Sequence, residues 1–79
     1  MIAGFIFIKT DLGKMEDVAN KVIEIPQVSE VYSISGSYDI LVKVYVNSYE
    51  DFVRVIPGTI HAIPGIRETN TLITFNSFK

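Results

Sequence analysis

Cysteine is absent from this 79-residue sequence, and histidine occurs once, as His61, which we interpret as a surface residue at a helix end. Without cysteine, neither a disulfide framework nor a thiolate metal site is possible. Metal centres and nucleophilic catalysis draw on clustered histidine, cysteine and carboxylate side chains. Glu16-Asp17 and Glu50-Asp51 are the paired acids, and they fit solvated first turns of helices. We therefore expect no metal, no cofactor and no enzyme activity.

Positive charge is also scarce, because seven Lys and Arg stand against nine Asp and Glu and are scattered along the chain. Nucleic-acid binders carry a basic patch, since neutralising phosphates dominates their affinity. We therefore expect no direct contact with DNA or RNA.

The first eight residues are apolar, but this run is too short to cross a bilayer and has no basic leader. It predicts a buried strand, no membrane partner and a cytoplasmic location.

The sequence contains an internal repeat. Ile-Pro-Gln-Val at residues 25–28 returns as Ile-Pro-Gly-Ile at residues 63–66, an offset of 38 residues that is about half the chain. The same offset aligns the apolar run at residues 4–8 with the run at residues 42–46. Each half therefore begins and ends with a candidate strand.

Helical periodicity fills the middle of each half. In the first half, one stripe at i, i+3, i+4, i+7 and i+8 is apolar: Met15, Val18, Ala19, Val22 and Ile23. Thr10 or Asp11 can cap this helix, and Ser48 can cap the second. Pro57-Gly58 interrupts the second helix, and because proline removes a helical hydrogen bond we predict a kink or a break there.

The predicted order is strand 2–9, helix 14–24, strand 28–36, strand 39–46, helix 49–62 and strand 66–76. Two β-α-β halves give a ferredoxin-like α+β sandwich in one domain, residues 1–79. The right-handed crossover rule puts both helices on one face of a four-stranded antiparallel sheet, with strands one and three at its centre. Gly36-Ser37 predicts a tight hairpin turn between strands two and three.

Alternation along the strands separates a helix-covered face from an open face. The covered face is predicted to hold small and branched residues: Gly4, Ile6, Ile8, Ile34, Val42, Val44 and Val46. The open face is predicted to hold Ala3, Phe5, Phe7, Leu41, Lys43, Tyr45, Ile73 and Phe75. So many exposed aromatics exceed what a monomer usually shows to water. We predict a two-fold dimer of the dimeric α+β barrel type, with Phe5, Phe7, Leu41, Tyr45, Ile73 and Phe75 at its interface. The alternatives are a misassigned face or an open sheet that binds something else.

Gly36-Ser37-Tyr38-Asp39 is the best candidate for a ligand contact. Glycine leaves a backbone N–H uncovered for an anionic group, and Asp39 offers an acceptor for an ammonium group. This pairing would suit the zwitterionic end of an amino acid. The same residues equally fit a turn in which Asp39 caps its own backbone. Thr69-Asn70-Thr71 in the last strand would either donate to a ligand carboxylate or supply ordinary edge polarity.

The turn and its flanks resemble a known family. Residues 30–44, with a Gly-x-Tyr-Asp turn before an apolar strand ending in Lys-Val, strongly resemble the effector-binding half of the leucine-responsive regulator/AsnC family. This half is called the RAM domain. Residues 63–73, with their Ile-Pro-Gly-Ile start, and residues 3–10 with Gly13 extend the resemblance over essentially the whole chain.

The resemblance implies the same β-α-β-β-α-β fold, sheet-to-sheet dimers and further assembly, often as a ring of four dimers, an octamer. It implies an amino acid effector in the cleft between dimers, contacted by Tyr32, Gly36, Tyr38, Asp39, Thr69 and Thr71. Family regulators also carry a helix-turn-helix domain, which precedes the part matched here. We expect a stand-alone module without a DNA-binding domain, which senses or stores the ligand or joins a full-length transcription regulator.

Two other functions stay open alongside this amino acid-sensing, ligand-binding oligomerisation module. An ACT-like domain has the same strand order and binds amino acids at interfaces, using a glycine at the first strand–helix junction, where Gly13 lies. A small isomerase or monooxygenase of the dimeric α+β barrel kind needs an acid–base residue between sheet and helices. Only His61, Asp39 and the tyrosines would be able to serve in that role.

Overall fold

The structure is a computed structural model that describes residues 1–54, 56 and 58–79. Its elements are β1 (Ile2–Thr10), α1 (Met15–Ile23), β2 (Val28–Ser33), β3 (Ile40–Val46), α2 (Tyr49–Thr59) and β4 (Ile66–Ile73). The predicted order is confirmed. Three elements end about three residues earlier than predicted, namely β2, α2 and β4. The kink or break predicted at Pro57-Gly58 depends on Pro57, which lies outside the described residues.

The four strands form one antiparallel sheet in the order β2-β3-β1-β4, so β1 and β3 are central as predicted. Both helices pack on the same face, because α1 and α2 contribute to a single core with the inward residues of β1 and β3. This confirms the ferredoxin-like α+β sandwich. Neither helix, over the described part of the chain, has the length and apolar character of a membrane span.

Burial alternates residue by residue along the central strands, as the period of two predicts. The core consists of Ile6, Ile8, Val18, Val22, Ile40, Val42, Val44, Val46, Phe52, Ile56 and Ile60. The placement of Ile34 on this face was wrong. Strand β2 already ends at Ser33, and Val31, paired with Val42, packs against the core. A register shift between Val28 and Glu30 determines which residues of β2 face the core.

The connection between β2 and β3 is longer than predicted. Instead of a two-residue hairpin turn it takes residues 34–39, closed where the N–H of Ile34 donates to the carbonyl of Asp39 at 3.0 Å. Gly36 has a φ of 105°, a conformation that residues with a Cβ rarely adopt. The position of the glycine was therefore read correctly, and the size of the turn was not.

The predicted N-cap is confirmed for one helix and wrong for the other. Ser48 caps α2, since its Oγ accepts from the N–H of Asp51 at 3.4 Å, which confirms the prediction. For α1 the prediction was wrong, because its N-cap residue is Lys14. Thr10, one of the two predicted caps, instead donates its hydroxyl hydrogen bond to Asp39.

Gly4 gives the first testable prediction. A Cβ added at Gly4 would lie 1.9 Å from Cζ of Phe52, whose ring is buried in the core. We expect Gly4→Ala to lower the free energy of unfolding by about 1–3 kcal/mol, the usual effect of overpacking. Urea denaturation would measure it, with Ala3→Gly on the opposite face as a matched control. Adding Phe52→Leu to Gly4→Ala should recover part of the loss. Full stability of Gly4→Ala alone would contradict the close packing.

Candidate functional site

Asp39 lies where β3 begins and β1 ends, because these two strands are antiparallel neighbours. Its Oδ2 accepts hydrogen bonds from the backbone N–H of Thr10 at 2.8 Å and from the Thr10 hydroxyl at 3.1 Å. Its own N–H donates to the carbonyl of Ile8 at 2.9 Å. The carboxylate thus caps the end of β1, which neither sequence interpretation anticipated. The antiparallel order of the strands was the signal that would have revealed Thr10 as its partner.

Gly36 and Tyr38 belong to the same connection between β2 and β3 as Asp39. A Cβ at Gly36 would face open space, so the backbone there is approachable by a ligand. The ring of Tyr38 lies 5.6 Å from the ring of Phe7 at an angle of 49°, which places Tyr38 over the open face. Together with Tyr32 near the end of β2, these residues form the group that we call the turn group: Tyr32, Gly36, Tyr38 and Asp39.

The two threonines of the predicted site lie at the opposite edge of the sheet. Thr69 pairs with Ile8 and Thr71 pairs with Ile6, so both side chains belong to the helix-covered side of β4. Tyr32 pairs with Leu41 on the open face of β2. Three strand spacings separate β2 from β4, about 14 Å in all. One chain therefore does not bring Tyr32 and these threonines to a common ligand, whereas the Asp39 carboxylate is hydrogen-bonded to β1, the neighbour of β4.

The open face carries a charge at its centre. Nζ of Lys43 lies 5.9 Å from the ring centroid of Phe5, 5.2 Å from that of Tyr45 and 3.4 Å from Oε2 of Glu30. Tyr32 donates its hydroxyl hydrogen bond to Oε1 of Glu30. The sequence singled out the aromatic residues of this face but not the charge network that links them.

Hydrogen bonding within this network shifts three pKa values. The hydrogen bond from Tyr32, aided by Lys43, lowers the pKa of the Glu30 carboxyl. The same hydrogen bond with Glu30 raises the pKa of the Tyr32 hydroxyl. A side-chain hydrogen bond with Tyr45, and then Glu30, raises the pKa of the Lys43 ammonium. The shifts of Glu30 and Lys43 favour an ion pair on the open face at neutral pH, and the shift of Tyr32 keeps its hydroxyl protonated as a donor.

The last strand requires a correction. Ile73 pairs with Gly4, so it lies on the helix-covered side, whereas Leu72 pairs with Phe5 on the open face. The predicted face of Ile73 was wrong because the register of β4 is shifted by one residue relative to the prediction. Phe75 lies beyond the end of β4, with its ring 6.3 Å from the ring of Tyr49 at the start of α2.

His61 has a partner that the sequence did not reveal. Its Nε2 lies 3.0 Å from Oγ1 of Thr69, and both residues line a cavity of about 280 Å³ beside β4. His61 is exposed, while the space between sheet and helices is filled by the aliphatic residues and Phe52 of the core. His61 therefore lies outside the space between sheet and helices. No set of three potential metal ligands occurs among the residues described.

Comparison with known proteins agrees with this geometry. Residues 3–79 match the family described as the Lrp/AsnC ligand binding domain. The chain is 33% identical over 78 residues to the HTH-type transcriptional regulator FL11 of Pyrococcus furiosus, covering 99% of this chain and 51% of that protein. It thus spans about half the length of the curated regulators it matches.

Solved structures extend the match to the fold. The crystal structure of TTHA0845 from Thermus thermophilus has a TM-score of 0.95 at 30% identity, covering 100% of this chain and 99% of that one. The regulator NMB0573 of Neisseria meningitidis, solved as an L-Met complex, has a TM-score of 0.89 at 20% identity, covering 99% of this chain and 52% of that one. The fold agrees with these structures, and the family match covers residues 3–79. The chain therefore belongs to the Lrp/AsnC family through its ligand-binding domain.

Proposed function

We propose that this domain senses a free amino acid, which it binds between subunits, and that binding shifts the balance between assembly states. The observation that carries the proposal is the separation of Tyr32 and Tyr38, on the open face, from Thr69 and Thr71, on the helix-covered side of β4. A ligand that contacts both groups needs residues from two chains. Such a ligand stabilises whichever assembly brings the two edges together, because it binds that assembly and not the separated chains.

The open face supports the first step of that assembly. Phe5, Phe7, Leu41 and Tyr45 are only half-buried, and Leu72 at the β4 edge is 49% exposed. Burying this surface against a second sheet about 10 Å away would remove it from water. A two-fold dimer is the simplest closed arrangement, because the same face serves both copies. Dimers would then meet through the edges that carry Tyr32 on β2 and Thr69 and Thr71 on β4, and build a larger ring.

The ligand class rests on the turn group and on the family. An uncovered backbone at Gly36 and the carboxylate of Asp39 offer partners for an anionic and a cationic group within one connection. The NMB0573 structure, which shares the fold, was solved with L-methionine. Since the curated relatives are named transcriptional regulators, we infer a regulatory role in the cytoplasm and not an enzymatic one, with a full-length regulator as the partner to test.

Calorimetry against each of the twenty amino acids, with light scattering of the same samples, tests the proposal. We expect heat from at least one amino acid and a change of mass when that amino acid is added. Gly36→Val is expected to lose amino acid binding. A β-branched residue is strained at a φ of 105° and would cover the backbone of the turn. Absence of heat from all twenty, with an unchanged mass, would contradict both sensing and ligand-linked assembly.

A further inference from the structure

Helix α1 carries charges of alternating sign along one exposed side, which we call the charged stripe. The charged stripe consists of Lys14, Asp17, Lys21 and Glu24, all of them exposed. Their spacing of three, four and three residues keeps them on one face of the helix. Together with Asn20 they line a groove of about 430 Å³ that Pro64 and Gly65 complete. The ion pairs of the described residues lie on the open face and within α2, so the charged stripe has no ionic partner in its own chain.

The ends of the charged stripe oppose the dipole of their own helix. Lys14 is the N-cap residue of α1 and Glu24 is its C-cap residue. A helix carries partial positive charge at its N-terminus and partial negative charge at its C-terminus, so each side chain lies beside charge of its own sign. An antiparallel second copy of α1 would bring its Glu24 to this N-terminus and its Lys14 to this C-terminus. Contacts that are unfavourable within one chain would thus be offset by favourable ones between two chains.

The order of the charges selects one orientation of a second copy. Residues spaced by three, four and three positions face each other when two helices pack side by side, as the a and d positions of a coiled coil do. In an antiparallel pair, Lys14 of each copy faces Glu24 of the other copy. Asp17 of each copy likewise faces Lys21, so every contact joins opposite charges. In a parallel pair each residue faces its own counterpart, so every contact joins like charges. The charged stripe is therefore complementary to itself in the antiparallel orientation alone.

We propose that α1 is a second interface between copies of this chain, in which two charged stripes pack antiparallel around a two-fold axis. Asn20 lies beside the middle of the charged stripe, and its amide, both donor and acceptor, faces its counterpart there. Because α1 packs on the helix-covered face of the sheet, this contact leaves the proposed sheet-to-sheet dimer intact. Two different two-fold contacts on one chain link dimers into larger particles. This inference goes beyond the proposed function, since no ligand takes part in the contact.

The contact is weak and depends on the salt concentration. Each exposed ion pair contributes little, and salt screens such pairs beyond about 10 Å at about 0.1 M. A sheet-to-sheet dimer presents two charged stripes, and engaging both at once raises the affinity of the larger particle. In the absence of any amino acid, we expect particles larger than the dimer at low salt. They should dissociate to dimers as the salt concentration rises.

Complementary charge reversals test the contact by light scattering at low salt. Lys21→Glu and Asp17→Lys each bring like charges together in the antiparallel pair. Each variant alone should therefore associate beyond the dimer at least about tenfold more weakly than wild-type protein. In an equal mixture, the Glu at position 21 of one variant faces the Lys at position 17 of the other, and the unchanged Asp17 and Lys21 also face each other. The mixture should recover the wild-type mass.

The matched controls are Arg54→Glu and Glu50→Lys on α2. These two residues form an exposed pair of opposite charges four positions apart, with 3.9 Å between Nη2 of Arg54 and Oε2 of Glu50. The control substitutions change the net charge by the same amounts as the reversals in α1. Each control should keep the wild-type mass and its salt dependence, alone and when mixed. Circular dichroism confirms that every variant is folded.

The outcomes separate this inference from amino acid sensing. It is overturned if wild-type protein forms nothing larger than a dimer at low salt, or if its larger particles persist unchanged at high salt. It is equally overturned if Lys21→Glu keeps the wild-type mass, or if the mixture of reversed variants does not recover it. Calorimetry with the amino acids measures the proposed function independently, and Lys21→Glu should bind the effector as wild-type protein does.

Discussion

Leu41→Glu should dissociate the protein into monomers and abolish amino acid binding. Leu41 lies in the central strand β3, paired with Phe7 on one side and Tyr32 on the other, so it occupies the middle of the open face. Burying a leucine contributes about 1.5–3 kcal/mol, and a two-fold interface contains the residue twice. The dimer dissociation constant should therefore rise by about a hundredfold or more. Light scattering over a concentration series would measure the change.

Val53→Glu is the matched control for this substitution. Val53 is 74% exposed on α2, away from the open face, and receives the same change of charge. We expect it to keep the wild-type mass and affinity. A Leu41→Glu protein that remained dimeric, with an intact circular dichroism spectrum, would show that the open face is not the interface. A monomer that still bound the amino acid would show that one chain suffices for the site.

The pairing of Lys43 with Glu30 would allow the proposed dimer to bury the open face. A lone lysine in the middle of an apolar interface would be costly, because a buried charge needs a partner. Here the ammonium is paired with Glu30 at 3.4 Å and lies against the rings of Phe5 and Tyr45. Each copy thus brings a neutral pair and not an isolated charge. The pair also restricts which arrangements of the two sheets leave both charges satisfied, so it favours one register of the dimer.

The sequence predicted the fold well because the fold depends on local periodicity. The repeat located the two β-α-β halves. Alternation along β1 and β3 correctly assigned most of their inward residues and missed Thr10 and Ile40 at the strand ends. The errors fall on the edge strands. The register of β2 is shifted by an irregularity near Glu30, and Ile73 of β4 lies on the face opposite to the predicted one. Edge strands have one neighbour, so their phase depends on contacts that periodicity does not encode.

The site was predicted less completely, because its geometry depends on pairs that are distant in sequence. Asp39 was identified as a polar group at the start of a central strand, but its bond to Thr10 spans 29 positions. His61 was interpreted as a surface residue, and its exposure agrees, yet its contact with Thr69 links the residues after α2 to the edge of the sheet. No local sequence pattern predicts the contact of Asp39 with Thr10 or that of His61 with Thr69.

Substitutions at Asp39 give the second large expected effect, because they separate its structural role from its proposed role in ligand binding. Asp39→Ala removes both hydrogen bonds to Thr10, a residue that is 8% exposed, and leaves the backbone N–H of Thr10 without its acceptor. Hydrogen bonds to a charged group contribute about 1.5–3 kcal/mol each, part of which water restores at this half-buried site. We expect the free energy of unfolding to fall by about 3 kcal/mol. Urea denaturation at one fixed protein concentration would measure it, since assembly makes stability depend on concentration.

Asp39→Asn isolates the charge. The amide oxygen still accepts from the N–H of Thr10, so most of the stability should remain, and Thr10→Val tests the hydroxyl bond separately at an expected cost of about 1 kcal/mol. If the carboxylate also contacts the ligand ammonium, Asp39→Asn should weaken amino acid binding by about tenfold while unfolding changes little. Wild-type affinity in Asp39→Asn would confine Asp39 to holding the end of β1.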